Sequence, residues 1–162
     1  ATTESYTLSL HDALPISGDR QWGSKMQDDL TDAVRWAVEK GIADPKRVAI
    51  FGGSYGGYAA LAGAAFTPDL FCCAVAVVGP SNLVTFLKTT PPYWFNYLQM
   101  IYRRVGNPET EIEFLKSRSP LFKVDQIRIP VLIAQGANDP RVQINEADQI
   151  VEAMKKKKIK YE

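Results

Sequence analysis

The sequence predicts an α/β fold, a mostly parallel sheet with helices on both faces. Three observations predict it. Short apolar runs at residues 48–51, 71–78 and 131–134 are bounded by turn residues, as strands buried on both faces should be. Segments with helical periodicity lie between them. Strand and helix then alternate along the chain, the pattern of a parallel sheet.

The elements follow in order. Asp28-Asp29 suits the first turn of a helix, and Leu30, Ala33, Val34, Ala37 and Val38 fall on one helical face. Gly41 stops that helix and Asp44-Pro45 makes a turn. The run Val48 to Phe51 is the first strand, and a small-residue helix begins near Tyr55. Phe71 to Val78 is the second strand. Residues 81–125 are irregular and aromatic, and are expected to hold helices that cap the carboxyl edge of the sheet. Val131 to Ala134 is the third strand. A helix follows in which Ala147, Ile150, Val151 and Met154 share one face, and Ile159 to Tyr161 begins one more strand.

Composition narrows the function. At 162 residues the chain fits one domain with a real core. A net charge of +1 supplies no basic field for nucleic acid. The basic run Lys155 to Lys158 ends a predicted helix, where it complements the helix dipole. No apolar run approaches the roughly 20 residues of a membrane span. Cys72 and Cys73 are neighbours in an apolar run, so they are expected to point to opposite faces of a strand and to pack in the core without a disulfide. One His and no CxxC give no metal-ligand cluster, and no cofactor is expected.

The stretch "RVAIFGGSYGGYAALAGAAF", residues 47–66, carries the chemistry. A phosphate-binding loop would need a Lys after its second glycine, and none is there. A dinucleotide fingerprint would need glycine where Ser54 stands. What fits is G-x-S-x-G between a buried strand and a helix, the nucleophile elbow of α/β-hydrolases. The sharp turn strains the serine backbone and brings its neighbours close, which supplies a reason for Gly52 and Gly56. It raises the Ser54 hydroxyl above the sheet and aims the Tyr55 N–H at a developing oxyanion. In this fold the acid follows a later strand. "VLIAQGANDPRV", residues 131–142, supplies a strand, a glycine and then Asp139. A carboxylate there would hold a histidine in the correct tautomer. Asn138-Asp139-Pro140 also reads as a simple turn.

"GGSYGGY" and "GANDPRV", joined by "VGPSNLVTFL" and "PPYW", resemble the catalytic domain of the prolyl oligopeptidase family of serine peptidases, in its acylaminoacyl-peptidase and dipeptidyl-aminopeptidase-like branch. The resemblance covers residues 17–162 and implies an α/β-hydrolase fold acting on peptide substrates. By motif it makes Ser54 the nucleophile, Asp139 the triad acid and Tyr55 an oxyanion donor. Arg141 would bind a substrate carbonyl, and Val142 would line the pocket for the residue before the scissile bond. Tyr93 and Trp94 stand where the family places pocket aromatics. An esterase, or another α/β-hydrolase acting on small acyl substrates, is the alternative.

Departures from the family pattern accompany the resemblance. The sole histidine, His11, lies upstream of the serine instead of after the acid. Residues 1–16 show neither helical nor strand periodicity and lack the form of a signal peptide. Within them "TLSLHDALPI", residues 7–16, resembles the in-frame translation of a common sequencing adapter, codon by codon. The expectation is therefore a partial domain at residues 17–162. Its catalytic histidine, second oxyanion donor and the family's N-terminal β-propeller would belong to a longer parent protein.

Overall fold

A computed structural model describes residues 18–162. His11, Tyr6 and the adapter-like segment lie outside the described residues. Helix α1 spans Lys25–Glu39, three residues earlier than the Asp28-Asp29 signal suggests. It ends as expected at Gly41, whose φ of +69° closes the helix, its N–H reaching the Val38 carbonyl at 2.9 Å. Strand β1 is Ala49–Gly53, helix α2 Tyr55–Phe66 and strand β2 Cys73–Val77. Helices α3 (Leu83–Lys88), α4 (Leu98–Arg104) and α5 (Ile112–Ser117) then alternate with 3-10 segments at Pro92–Tyr97 and Pro120–Gln126. Strand β3 is Val131–Ala134 and helix α6 is Asn145–Lys157.

The sheet is parallel in the order β1-β2-β3. Tyr161 adds a parallel bridge to Val131, so the expected fourth strand begins beside β3. The chain thus crosses the sheet in one direction only. Right-handed crossovers that advance in one direction all fall on one face. Helices α2 and α6 accordingly share a face, where Ala60, Ala64, Ala74, Val131, Ile150 and Met154 form one core. Helix α2 is built of small residues and is buried all round from Gly57 to Ala65.

The expected α/β class holds, and among the described residues the core helices α2 and α6 lie on one face. The opposite face carries the aligned row Phe51, Val75 and Leu132. Phe51 is 74% exposed and Leu132 40%. Cys72 is exposed and Cys73 half-buried, so neither thiol packs in the core. Cys72 precedes β2 in a bend, which removes it from the strand alternation assumed above. Helix α1 also departs from its pattern. Gln27 and Thr31 are its buried residues, while Leu30 is 38% exposed. Gln27 wins burial because its Nε2 donates to the Ala59 carbonyl of α2 at 3.3 Å. Periodicity can find a helix's apolar face but not the side on which a partner stands.

The segment before α1 is fastened by Asp19, which pairs with Arg103 at 3.0 Å, and by Arg20. Arg20 donates to both carboxylate oxygens of Glu111, at 3.0 and 2.5 Å, and stacks over Phe114 at 4.5 Å. The Asn107 N–H also donates to Glu111 at 2.9 Å. The Arg20 hydrogen bond, aided by that of Asn107, pulls the Glu111 carboxyl down to about 2.

Two predictions follow from this architecture. The bare apolar row should drive concentration-dependent self-association, which sedimentation velocity would detect and Phe51→Lys should reduce. A wild-type chain that stays monomeric at high concentration would refute this. Glu111 is depressed in the folded state, so its contribution is complete above the ordinary carboxylate pKa of about 4.3 and vanishes as pH falls to about 2. Denaturation midpoints measured across that window should fall more steeply for wild type than for Glu111→Gln.

Candidate active site

Ser54 stands between β1 and α2 at φ 56°, ψ −117°, a conformation that non-glycine residues rarely adopt. Its surroundings force this geometry. The Ser54 N–H donates to the Val77 carbonyl of β2 at 2.9 Å, and its carbonyl accepts from Tyr58 at 3.0 Å. A Cβ on Gly52 would meet the Gly56 backbone at 2.4 Å, so the strand can turn into the helix only through glycine. A Cβ on Gly57 would lie 2.8 Å from the Gly79 Cα, so a second bare contact seats α2 on the end of β2. Gly56 is different. A Cβ there meets nothing within 4 Å, so the close-approach reason offered for Gly56 does not hold and belongs to Gly57 instead.

The strain has a chemical consequence. Ser54 occupies the N-cap position of α2, where a serine hydroxyl ordinarily accepts a helix N–H. Here it makes no cap hydrogen bond, and Ser54 is exposed. The hydroxyl is therefore free above the carboxyl edge of the sheet. Tyr55 is the first residue of α2, so its N–H has no acceptor within the helix and points out at the positive end of the helix dipole.

Asp139 sits in the loop after β3. Gly53, Val77 and Ala134 are in register, so the Ser54 turn and the Asp139 loop leave the same edge of the sheet. They are two strand spacings apart, about 10 Å. One Asp139 oxygen accepts the N–H groups of Arg141 at 2.8 Å and Val142 at 3.0 Å. The carboxylate thus folds its own loop, and Asp139 is half-buried. The Arg141 side chain is exposed. Val142 is only 3% exposed and packs with Leu83, Phe86 and Leu87.

A cavity of about 440 Å³ opens beside Ser54. Its walls are mainly aromatic, from Trp22, Tyr55, Phe86, Trp94 and Tyr97. Arg104 supplies the one charge on its lining. Trp94 lines this space. Tyr93 is 55% exposed and meets Trp94 edge-on at 6.3 Å, outside the lining. Val142 is outside the lining and shares a buried cluster with Phe86, which is in it. Trp22 packs edge-on against Tyr55 at 4.7 Å and lies 5.0 Å from Tyr58, so the elbow rests on three rings. Burial, with the nearby Asp29 charge, raises the Tyr55 phenol to about 12, so it stays protonated at neutral pH. Sequence reasoning missed Trp22, Phe86 and Glu146. Trp22 and Glu146 stand in no quoted motif, and Phe86, within "VGPSNLVTFL", has no role assigned there; Trp22 reaches Tyr55 from a segment held by Asp19, Arg20 and Gly23.

No group of three potential metal ligands occurs among the described residues. No described helix is long and apolar enough to cross a membrane.

A strained serine between a parallel strand and a buried helix, with a carboxylate loop two strands away, defines an α/β-hydrolase. The sequence signature of the prolyl oligopeptidase family matches residues 12–162, and the chain belongs to that family of serine peptidases. It is 54% identical over 145 residues to dipeptidyl aminopeptidase BIII of Pseudoxanthomonas mexicana, covering 88% of this chain and 21% of that protein. It is 48% identical over 149 residues to dipeptidyl peptidase family member 6 of Caenorhabditis elegans, covering 90% and 20%. The structure of a Mycobacterium tuberculosis puromycin-hydrolyzing peptidase superposes with a TM-score of 0.82 at 34% identity, covering 90% of this chain and 22% of that one. The chain spans about one fifth of the length of each.

The two elbow glycines have opposite expectations. Gly52→Ala should destabilise the chain by about 3 kcal/mol or more, because neither backbone can yield. Gly56→Ala should be neutral or stabilising by up to about 1 kcal/mol, since it adds helix propensity in open space. Urea denaturation distinguishes them, and equal losses at both positions would contradict the geometry.

Proposed function

We propose that this chain supplies the nucleophile and the acid of a serine peptidase active site, within a longer protein that contributes the histidine. The observation that carries the reading is Ser54 held at φ 56° with its hydroxyl unused at a helix N-cap. The folded chain spends strain on a serine that caps nothing, and a nucleophile explains that arrangement.

In this reading the Ser54 Oγ attacks a peptide carbonyl carbon while its proton passes to the histidine. The carbonyl oxygen becomes an oxyanion and receives the Tyr55 N–H. The histidine then protonates the leaving amine, and the C–N bond breaks to leave an ester on Ser54. Water, deprotonated by the same histidine, hydrolyses that ester and restores the serine. Asp139 orients the histidine and stabilises its cation. Arg141, exposed beside Asp139, binds a substrate carbonyl. The aromatic cavity beside Ser54 takes the side chain of the residue whose carbonyl is attacked, with Tyr55 and Trp94 in its wall, Val142 behind Phe86 and Tyr93 behind Trp94. The relatives named above support aminoacyl and dipeptidyl amides as the substrate class.

The longer protein should hydrolyse peptidyl or aminoacyl amides, and Ser54→Ala should abolish that turnover. Efficient cleavage of esters without turnover of any such amide would favour an esterase. The 162-residue chain, lacking the histidine, should react with a fluorophosphonate probe about 10⁴- to 10⁶-fold more slowly than the longer protein. Rapid stoichiometric labelling of Ser54 in the short chain would mean that a base exists within it.

A further inference from the structure

Glu146 is the one carboxylate in the described chain that is fully buried, and the reaction outlined above does not use it. It lies in the first turn of α6, four residues after Val142. One of its oxygens accepts the N–H groups of Ser81 at 3.0 Å and Asn82 at 2.8 Å. The other accepts the Thr85 hydroxyl. Its main-chain carbonyl accepts the Ser81 hydroxyl at 2.6 Å. Gln149, on the next turn, accepts from the Asn82 side chain at 2.9 Å and donates to the Thr85 hydroxyl at 3.1 Å. The first turns of α6 therefore bind the whole segment that leaves β2 and opens α3.

What lies on either side of this knot gives it meaning. Pro80 and Phe86, which flank the bound segment, form part of the cavity wall beside Ser54. In the other direction, Val142 connects Glu146 to Asp139, whose oxygen holds the Val142 N–H. Val142 in turn belongs to the same buried cluster as Leu83, Phe86 and Leu87 of α3. Val142, bound to Asp139 through its N–H, thus shares a buried cluster with Phe86 of the cavity wall.

We propose that Glu146 is a positioning residue: its carboxylate locks the Ser81–Thr85 segment to α6 and so fixes the Asp139 loop and the Pro80–Phe86 wall as one unit facing Ser54. Leucine at this position would leave two N–H groups buried without a partner, while the Thr85 hydroxyl would keep the Asn82 carbonyl, 3.1 Å away, as its acceptor. Glutamine would keep the knot, because its carbonyl can accept both N–H groups while its amide donates to the Thr85 oxygen. The significance given to Asp139 rests on the peptidase reading, but the coupling does not.

The test is residue-resolved amide hydrogen exchange on the 162-residue chain, which needs no catalysis. In Glu146→Leu, protection should fall by about tenfold or more at Ser81 and Asn82, and also at Arg141 and Val142, with Ala74 and Ala76 of β2 unchanged. Glu146→Gln should restore all four amides to within about threefold of wild type. Should Glu146→Leu fail to fold, Thr85→Val removes one donor only and should show the same pattern in weaker form. Loss confined to Ser81 and Asn82 would overturn the proposal, as would a uniform loss across β2. Failure of the longer protein to cleave amides would sink the peptidase reading and leave this pattern intact, so the two failures are distinguishable.

Discussion

The structure depends on how Ser54 is held. A non-glycine residue at positive φ costs on the order of 1–3 kcal/mol and persists only where its neighbours leave no alternative. Here the neighbours are backbones in contact. Gly52 lies against Gly56, Gly57 lies against Gly79, and the Ser54 N–H is bound to Val77. A side chain at Gly52, Gly57 or Gly79 would push strand, turn and helix apart. The elbow is therefore a property of three elements together, β1, α2 and the end of β2, and the serine is strained because they are packed.

The legible and illegible parts of the sequence divide along this line. The elbow could be read because its constraints are local, a few glycines at fixed spacing between an apolar strand and a small-residue helix. Asp139 could be placed because a parallel sheet puts its loops at one edge. Strand β3 and the buried face of α6 follow from residue pattern alone. What could not be read depends on which side of an element meets a partner. Periodicity put Leu30 and Ala33 of α1 inward, whereas Gln27 and Thr31 are the buried pair. The α/β class was legible, but not which face of the sheet α2 and α6 share among the described residues. Glu146 was invisible for a related reason. An acid in a helix's first turn reads as a solvated partner of the dipole, and only the loop folded against it makes it a buried one.

The two carboxylates near the site show how environment separates roles. Asp139 is half-buried and spends one oxygen on two N–H groups of its own loop. Glu146 is closed. Burial pushes its carboxyl up while the Thr85, Asn82 and Ser81 hydrogen bonds pull it down. Both of its oxygens are committed, so it can hold but cannot react. The Arg20–Glu111 pair is a third case, held by geometry at the surface, where it secures the segment that brings Trp22 against Tyr55.

The contact between Gly57 and Gly79 bears on how the chain is synthesised. A polypeptide leaves the ribosome from its N-terminus, and its domains fold as their parts emerge. Ser54 is translated before β2, yet the carbonyl that binds its N–H and the glycine that seats its helix both belong to the end of β2 or just beyond it. Until that stretch has emerged, nothing compels the serine into its left-handed conformation, and it can relax into an ordinary turn. The nascent chain therefore carries an unstrained serine, and the elbow forms only when the second strand arrives.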